Sequence, residues 1–518
     1  MSKHDNKRLR KVHSSKPLTG AVAAAVLLAV PGSEILAQGA LEEIVVTAQK
    51  REQSVQDVPA SITAISASQM KSLNIIDPGR LELLTPGLTW GNSTGGRSWP
   101  TLRGVSTGNG EANGEASLAY HVDGVYKSRT AQANAPLVDI ERIEVLRGPQ
   151  GTLAGRNATG GAINVISKLP STDAMEYGFE ASVGNYSAYR ADGYLNVPLS
   201  DSTAGRVAFR IDERDGYTEN LGPGNDLNDE GLLFVRGAIR HEADRWNMTF
   251  RGSYMDRDRN GAGGFTPDVL GQTYDFAAEG RSVFGDPVYV NPRVLDGIPE
   301  TNVNGTLTDL GVPWTGDVWE VNNDTQASEQ TENKELSLEF NYEFGAFSFK
   351  SLTAWSDFEL VPVADNDFTS CCADTNDDIG ILSAYSKTFQ QELQLTSNGD
   401  GPLEWVLGAF YFQDQVSEEF QIQRLLPGTA LPAPGGGTTD FIFDRRTETD
   451  LDSYAVYGQA SYHLTKAFQI TAGARYTLDE KSYQLREFGF LGVLGFNPDV
   501  DIDEDFDEVT WRLGAEWF

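Results

Sequence analysis

Cysteine is nearly absent from this 518-residue chain: two residues, which excludes a disulfide-built scaffold and a cysteine-rich metal domain. Histidine is scarce too. The five are scattered, His4 and His13 near the start, with no H-E-x-x-H or Cys/His cluster, so no catalytic metal or cofactor is expected. Positive charge is in deficit, 41 Lys+Arg against 74 Asp+Glu for a net −33, which excludes a nucleic-acid binder that must neutralise phosphates. Beyond the N-terminus no run approaches the roughly 20 apolar residues of a membrane helix. A mean hydropathy of −0.35 fits no helical membrane protein. What remains is a large soluble protein or an outer-membrane β-barrel, whose alternating strands keep average hydropathy low.

The N-terminus separates these. Lys3, Lys7, Arg8, Arg10, Lys11 and Lys16 precede an apolar stretch at 21–30, broken by Pro31-Gly32 before Ala37. Residues 1–37 therefore read as a secretory signal, the apolar stretch being too short to span a membrane, and the mature chain is expected in an oxidising compartment.

Residues 42–168 mix short apolar runs with Gly and Pro, the pattern of a small α+β domain. From about 175 onward, period-2 alternation recurs in twelve segments: 177–184, 188–198, 203–214, 231–242, 245–256, 332–344, 346–358, 383–396, 402–415, 450–464, 467–478 and 507–518. Within them Leu336, Leu338 and Phe340 share one face, while Glu335, Ser337 and Glu339 share the other. Short links alternate with long ones at 257–331, 359–382 and 416–449, the loop segregation of an outer-membrane barrel.

Two enzyme-like patterns fail on context. Gly104-Val105-Ser106-Thr107-Gly108 matches G-x-S-x-G but no helix-forming run follows. The glycine spacing of 155–161 resembles a phosphate loop, yet Gly161 stands where the lysine belongs. The chain is not expected to be an enzyme.

The stretch 42–48, Glu42-Glu43-Ile44-Val45-Val46-Thr47-Ala48, resembles a TonB box. Leu102-Arg103-Gly104-Val105, His121-Val122-Asp123-Gly124-Val125-Tyr126 and residues 140–168, with Arg147-Gly148-Pro149-Gln150-Gly151 at their centre, resemble the plug motifs of TonB-dependent outer-membrane receptors. The resemblance implies a plug at 49–170, an antiparallel transmembrane β-barrel at 175–518, and a location in the outer membrane of a Gram-negative bacterium. It implies active import of a scarce ligand, a ferric siderophore or other iron complex, with TonB and its inner-membrane complex as partner. The alternative is a barrel for cobalamin, a carbohydrate or an aromatic compound, or a non-transporting signalling receptor. Outer-membrane lipid and lipopolysaccharide are further partners, and a monomer is expected.

Within that frame, Glu43, Ile44, Val45, Val46, Thr47 and Ala48 are β-prone and suited to adding a strand to a partner's sheet edge, although they could equally be the plug's first strand. Arg103 and Arg147, each before a glycine, and the lumen-facing Glu335 and Glu392 are expected to form a plug-to-wall lock. Trp90, Trp99, Asn109, Glu111 and Asn113 are the candidate ligand-facing apex. Cys371-Cys372 lies in a long acidic loop without Lys or Arg, where a vicinal disulfide would stiffen the loop and the charge would disfavour polyanionic ligands.

A compact domain of about 125 residues has an outer radius near 18 Å. A twelve-strand barrel has a backbone radius of only about 13 Å, and a 22-strand one about 24 Å. The twelve strands are therefore expected to be part of a barrel of about 22, the chain being a fragment, while Phe518, which resembles the aromatic end of a finished barrel, leaves a complete short form open.

Overall fold

The computed structural model describes residues 45–517 except 48, 52, 57, 59, 93–95, 108–113, 222–223, 262–299, 302–306, 309–319, 322–325, 366–377, 400, 425–430, 433–437, 440, 466 and 490–498. The signal segment, Glu43, Ile44, Ala48, Asn109, Glu111, Asn113 and the Cys371-Cys372 pair lie outside the described residues.

The N-terminal domain opens with a two-residue pairing of β1 (Val45–Val46) and β2 (Gln53–Ser54). Its centre is a five-stranded sheet of β3 (Ser61–Ser66), β6 (Leu118–Val122), β7 (Val125–Tyr126), β8 (Ile140–Arg147) and β9 (Gly161–Ser167), in the order β3-β8-β9-β6-β7. Helix α1 (Ala67–Ser72) follows β3 directly. Ser66 accepts from the Gln69 N–H while Gln69 Oε1 accepts from the Ser66 N–H, a capping box written in the sequence as S-x-x-Q. A separate hairpin of β4 (Leu88–Asn92) and β5 (Ser98–Leu102) packs beside the sheet. The core is the apolar face of these strands: Ile65, Leu102, Ile143, Val145 and Ile163 are all essentially inaccessible.

Between β6 and β7 the chain reverses through Asp123-Gly124, both at positive φ (52° and 83°), the turn that a two-residue hairpin of right-handed twist requires. Gly161 is needed for a different reason. A Cβ there would sit 2.2 Å from the Leu146 carbonyl oxygen on the neighbouring strand.

After it, twelve strands form one antiparallel sheet around this domain, and short two-residue pairings among the described residues lie in its long connections. Its strands are β10 (Glu176–Val183), β11 (Tyr189–Ser200), β12 (Thr203–Arg214), β13 (Glu230–Glu242), β14 (Trp246–Arg259) and β15 (Ser328–Glu343), followed by β16 (Phe347–Asp365), β17 (Asp378–Ser397), β18 (Leu403–Arg424), β19 (Phe441–Thr465), β20 (Phe468–Gly489) and β21 (Asp499–Trp517). Pairing is strictly sequential, with β10 and β21 at the two edges. The twelve segments expected from alternation are these twelve strands, but several run further. The segment 383–396 becomes Asp378–Ser397, and 450–464 becomes Phe441–Thr465. All but one residue of the extra length on β19 lies toward the long-connection rim, where Asp444, Arg445, Arg446, Thr447, Glu448 and Thr449 occupy both faces. There the apolar signal stops while the hydrogen-bond ladder continues.

The outward face carries Phe250, Leu336, Leu338, Leu393 and Val456, all exposed as a lipid-facing surface requires. Rings cluster in two girdles. Tyr342, Phe344 and Phe347 form one near the short turns, with centroids 4.5 and 4.8 Å apart, and Phe389, Tyr411 and Tyr454 form the other, at 6.1 and 5.1 Å. Trp355, paired with Phe389, is eight residues beyond Phe347 on β16, about 26 Å of strand and close to the apolar band of an outer membrane.

Candidate functional site

The residues that can do mechanical or binding work lie where the inner domain meets the inward face of the wall. At the short-turn end, β1 pairs with β2 and Val46 is fully buried. The next residue, Thr47, donates its backbone N–H to Glu144 Oε1 at 2.8 Å, and its hydroxyl reaches the same oxygen at 3.2 Å. Arg142 Nε also donates to that oxygen, at 2.9 Å. Glu144 is wholly buried, and its Oε2 has no hydrogen-bond partner among the described residues.

Beyond Thr47 the chain reaches the wall. Lys50 Nζ donates to both oxygens of Glu392, at 2.8 and 3.0 Å, and the Tyr457 hydroxyl donates to Glu392 Oε1 at 2.7 Å. Arg51 pairs with Glu404, beside a short turn, at 3.0 Å. Farther toward the long-loop rim, Lys127 pairs with Glu335, Arg129 with Asp414 at 2.6 Å and Arg97 with Glu418 at 3.4 Å. Arg156 bridges Glu115 at 2.8 Å and Asp479 at 3.3 Å.

This corrects the four-residue lock read from the sequence. Glu335 and Glu392 do hold the inner domain, but their partners are Lys127 and Lys50. Arg103 sits at positive φ (53°) in an exposed turn with its guanidinium 3.4 Å from Ser61 Oγ, and Arg147 Nε is buried without a partner among the described residues. A glycine after an arginine marks a turn but gives no direction to the side chain. The lysines reach the wall because one follows β1 and the other directly follows β7.

The apex expectation is also corrected in part. Trp90 belongs to the inner core, edge-on to Tyr120 with centroids 6.3 Å apart, and its indole N–H donates to Asn134 at 3.4 Å, so it does not face a ligand. Trp99 is half-buried, and its indole nitrogen has no partner among the described residues.

The opposite wall uses the reverse polarity, which sequence reading missed. Arg206 on β12 clasps Asp139 through Nε and Nη2 at 2.6 and 2.7 Å. Arg210 donates to the Ile76 carbonyl at 2.9 Å, Arg236 to that of Asp139 at 3.1 Å and Arg257 to that of Asn134 at 3.1 Å. Strands β12 to β14 therefore present arginines to the inner domain, while β15, β17, β18 and β20 present Glu335, Glu392, Asp414, Glu418 and Asp479, and β20 also carries the buried Arg475. The alternating Arg206, Arg210, Arg236, Arg251 and Arg257 carried this signal at inward positions.

Charge states in the inner domain follow. Burial opposes the charged form of Glu115, but Arg156 overrides it and holds the carboxylate at about 2. Burial pulls the His121 imidazole down to about 3, with Lys50 adding to it, so His121 is neutral at ordinary pH. Burial raises the Tyr126 phenol to about 12. Among the described residues no group of three or more His, Cys, Asp or Glu is placed to hold a metal ion.

Residues 54–162 match the family model described as TonB-dependent Receptor Plug Domain, and residues 281–518 match TonB dependent receptor-like, beta-barrel. The chain belongs to the TonB-dependent receptors. This receptor is 34% identical over 187 residues to the pesticin receptor of Yersinia pestis, a match covering 35% of this chain and 27% of that relative. It is 30% identical over 231 residues to the vitamin B12 transporter BtuB of Vibrio vulnificus (strain YJ016), covering 42% and 35%. The solved structure of the ferric yersiniabactin uptake receptor FyuA from Yersinia pestis superposes with a TM-score of 0.67 at 20% identity, covering 88% of this chain and 62% of that one. The siderophore receptor PiuA from Acinetobacter baumannii gives 0.64 at 16%, covering 90% and 63%. The matched stretch thus spans about a third of the curated relatives. The fold is a plug seated against an antiparallel barrel wall, and the receptor is an outer-membrane protein of a Gram-negative bacterium.

Proposed function

We propose that this receptor imports a scarce small ligand, an iron complex, across the outer membrane, drawing energy from TonB through residues 43–48. The observation that carries the reading is the placement of Val45–Val46 and Thr47 at the short-turn end of the wall, as a two-residue pairing followed by one buried anchor. A segment held by one two-residue pairing and one anchor residue has few backbone bonds to break before it leaves the plug and adds to a partner's sheet edge through its backbone. The iron complex is supported by the siderophore receptors among the relatives and fold neighbours, including a ferric-pyoverdine receptor of Pseudomonas putida at 28% identity over 178 residues. Cobalamin is the second reading, favoured by the match to a vitamin B12 transporter. No catalytic role is proposed.

The test is uptake of isotope-labelled ferric yersiniabactin, ferripyoverdine and vitamin B12 in cells whose receptor is wild type or Val46→Pro. The proline removes a backbone donor within the segment. Accumulation of an iron complex that the proline abolishes supports the reading. Accumulation of vitamin B12 alone moves it to the second, and uptake indifferent to the proline and to TonB overturns both.

A further inference from the structure

A small polar cavity of about 50 Å³ lies between the plug and strands β13 to β15. Asp123 and Lys127 line it from the plug, and Arg236, Arg251, Asn333 and Glu335 from the wall. Three of these are cations, Lys127, Arg236 and Arg251, and two are carboxylates, Asp123 and Glu335. Carboxylates nearby do not close the gap, because each already has a partner. Glu335 is taken by Lys127, Glu339 by Lys350 and Arg251, and Asp139 by Arg206. Asp123 accepts from the Ser167 N–H and hydroxyl at 2.8 and 2.7 Å, and stands 3.8 Å from Arg251 Nε.

Arg236 is the cation left over. It is half-buried, its Nη2 donates to the Val138 and Asp139 carbonyls, and no carboxylate lies within ion-pair distance of it among the described residues. Carbonyl oxygens carry only partial charge, so a whole positive charge behind the wall stays unbalanced, an arrangement that is costly without a counterion. Two orphaned atoms belong to the same lining. Arg251 Nε and Asn333 Oδ1 are buried, and neither has a hydrogen-bond partner among the described residues.

We propose that this cavity binds one small monovalent inorganic anion, chloride under ordinary conditions, held between Arg236 and Arg251. Arg236 has donors left at Nε and Nη1, Arg251 has one at Nε, and the hydroxyls of Ser253 and Ser337 complete a donor-rich lining. A water in the ion's shell supplies the donor that Asn333 Oδ1 lacks. Size points to the same class of ligand. About 50 Å³ is several times the room that one water needs, and it falls far below the roughly 300 Å³ at which sites for organic ligands begin. The single surplus charge matches a monovalent ion.

The ion's place in the fold gives it a role that is independent of what the receptor carries. Arg236 holds the Val138–Asp139 segment that leads into β8, and Arg251 faces the Asp123 turn between β6 and β7. An anion shared by the two arginines fastens both parts of the plug to the wall. Stability of the receptor then depends on which anion is present, beyond the general screening that any salt exerts.

The test uses purified full-length receptor. Crystals grown in sodium bromide should show an anomalous bromide peak beside Arg236 and Arg251. In detergent at equal ionic strength, sodium chloride should raise the melting temperature by a few degrees over sodium gluconate, whose anion is too large for the cavity. Arg236→Gln, which removes the surplus charge, should lose both the peak and the chloride-dependent rise. Ser253→Val, which narrows the cavity and keeps every cation, takes its place if the first variant does not fold and should lose both as well. Absence of the bromide peak overturns the proposal, and so does a chloride-dependent rise that persists in the variant. A peak with equal melting temperatures in the two salts means an adventitious ion only, and overturns it too.

Discussion

The backbone N–H of Thr47 and the carboxylate of Glu144, 97 residues apart in sequence, meet at 2.8 Å inside the plug. One residue of the N-terminal segment is thus fastened to a group with no solvent access. Glu144→Ala removes the acceptor for Thr47 and for Arg142 together. It is expected to destabilise the local structure by about 1–3 kcal/mol, the cost of orphaned buried donors. Cross-linking of Thr47→Cys to TonB should rise at least several-fold without added ligand, while Glu144→Gln, which keeps an acceptor oxygen, should rise less. Cross-linking equal to wild type in Glu144→Ala would show that this bond does not restrain the segment.

Lys50 and Glu392 make a separable prediction. Glu392→Lys sets two cations against each other in a buried site, which should cost about 3–5 kcal/mol and lower the melting temperature of the purified receptor. The double reversal Lys50→Glu with Glu392→Lys should recover most of that loss. Recovery by the double variant is the readout that a simple packing defect at Glu392 could not produce.

His121 sets an acid sensitivity. Its imidazole stays neutral in the folded plug down to about 3, whereas in an unfolded chain it protonates near 6.5. Between those values the unfolded state binds the extra proton, so stability falls as pH falls through that window and levels off below it. At pH 5 the loss is about 2 kcal/mol. Glu115, held at about 2, keeps its contribution until pH drops below the ordinary carboxylate range, so it does not confuse a comparison at pH 5. His121→Phe keeps a ring beside Tyr126 and should lose less melting temperature than wild type between pH 7.5 and 5.

Gly161→Ala is expected to be the most damaging single methyl in the plug. The added carbon meets the Leu146 carbonyl oxygen at 2.2 Å and the Leu102 side chain at 2.7 Å, at a φ of 149° that other residues rarely adopt. Overpacking of this kind costs about 1–3 kcal/mol or more. Loss of folded, heat-modifiable receptor from the outer membrane would report it, and wild-type levels would refute it.

Period-2 alternation located all twelve wall strands, because a strand with lipid on one side must repeat its apolar residues every second position. It stopped short wherever strands rise past the lipid, as in Phe441–Thr465, since nothing there demands an apolar face. The plug motifs were legible through their turns: Asp123-Gly124 and Arg103-Gly104 do reverse the chain. Side-chain partnerships were not. Which cation meets Glu335 depends on where a two-residue strand leaves its sheet, and a linear pattern carries no such coordinate. The inward arginines of β12 to β14 alternated visibly, yet their role appears only once carbonyls of the plug stand opposite them.

That division of the wall has a consequence for assembly. With most inward arginines along one arc and most inward carboxylates along the other, the observed angular setting of the plug brings its cations to anions and its carbonyls and Asp139 to arginines. Turned half a revolution about the barrel axis, it would bring Lys50, Lys127 and Arg129 against Arg206, Arg236 and Arg251. The charges of the wall therefore act as a compass for the plug, favouring the observed setting over the reversed one.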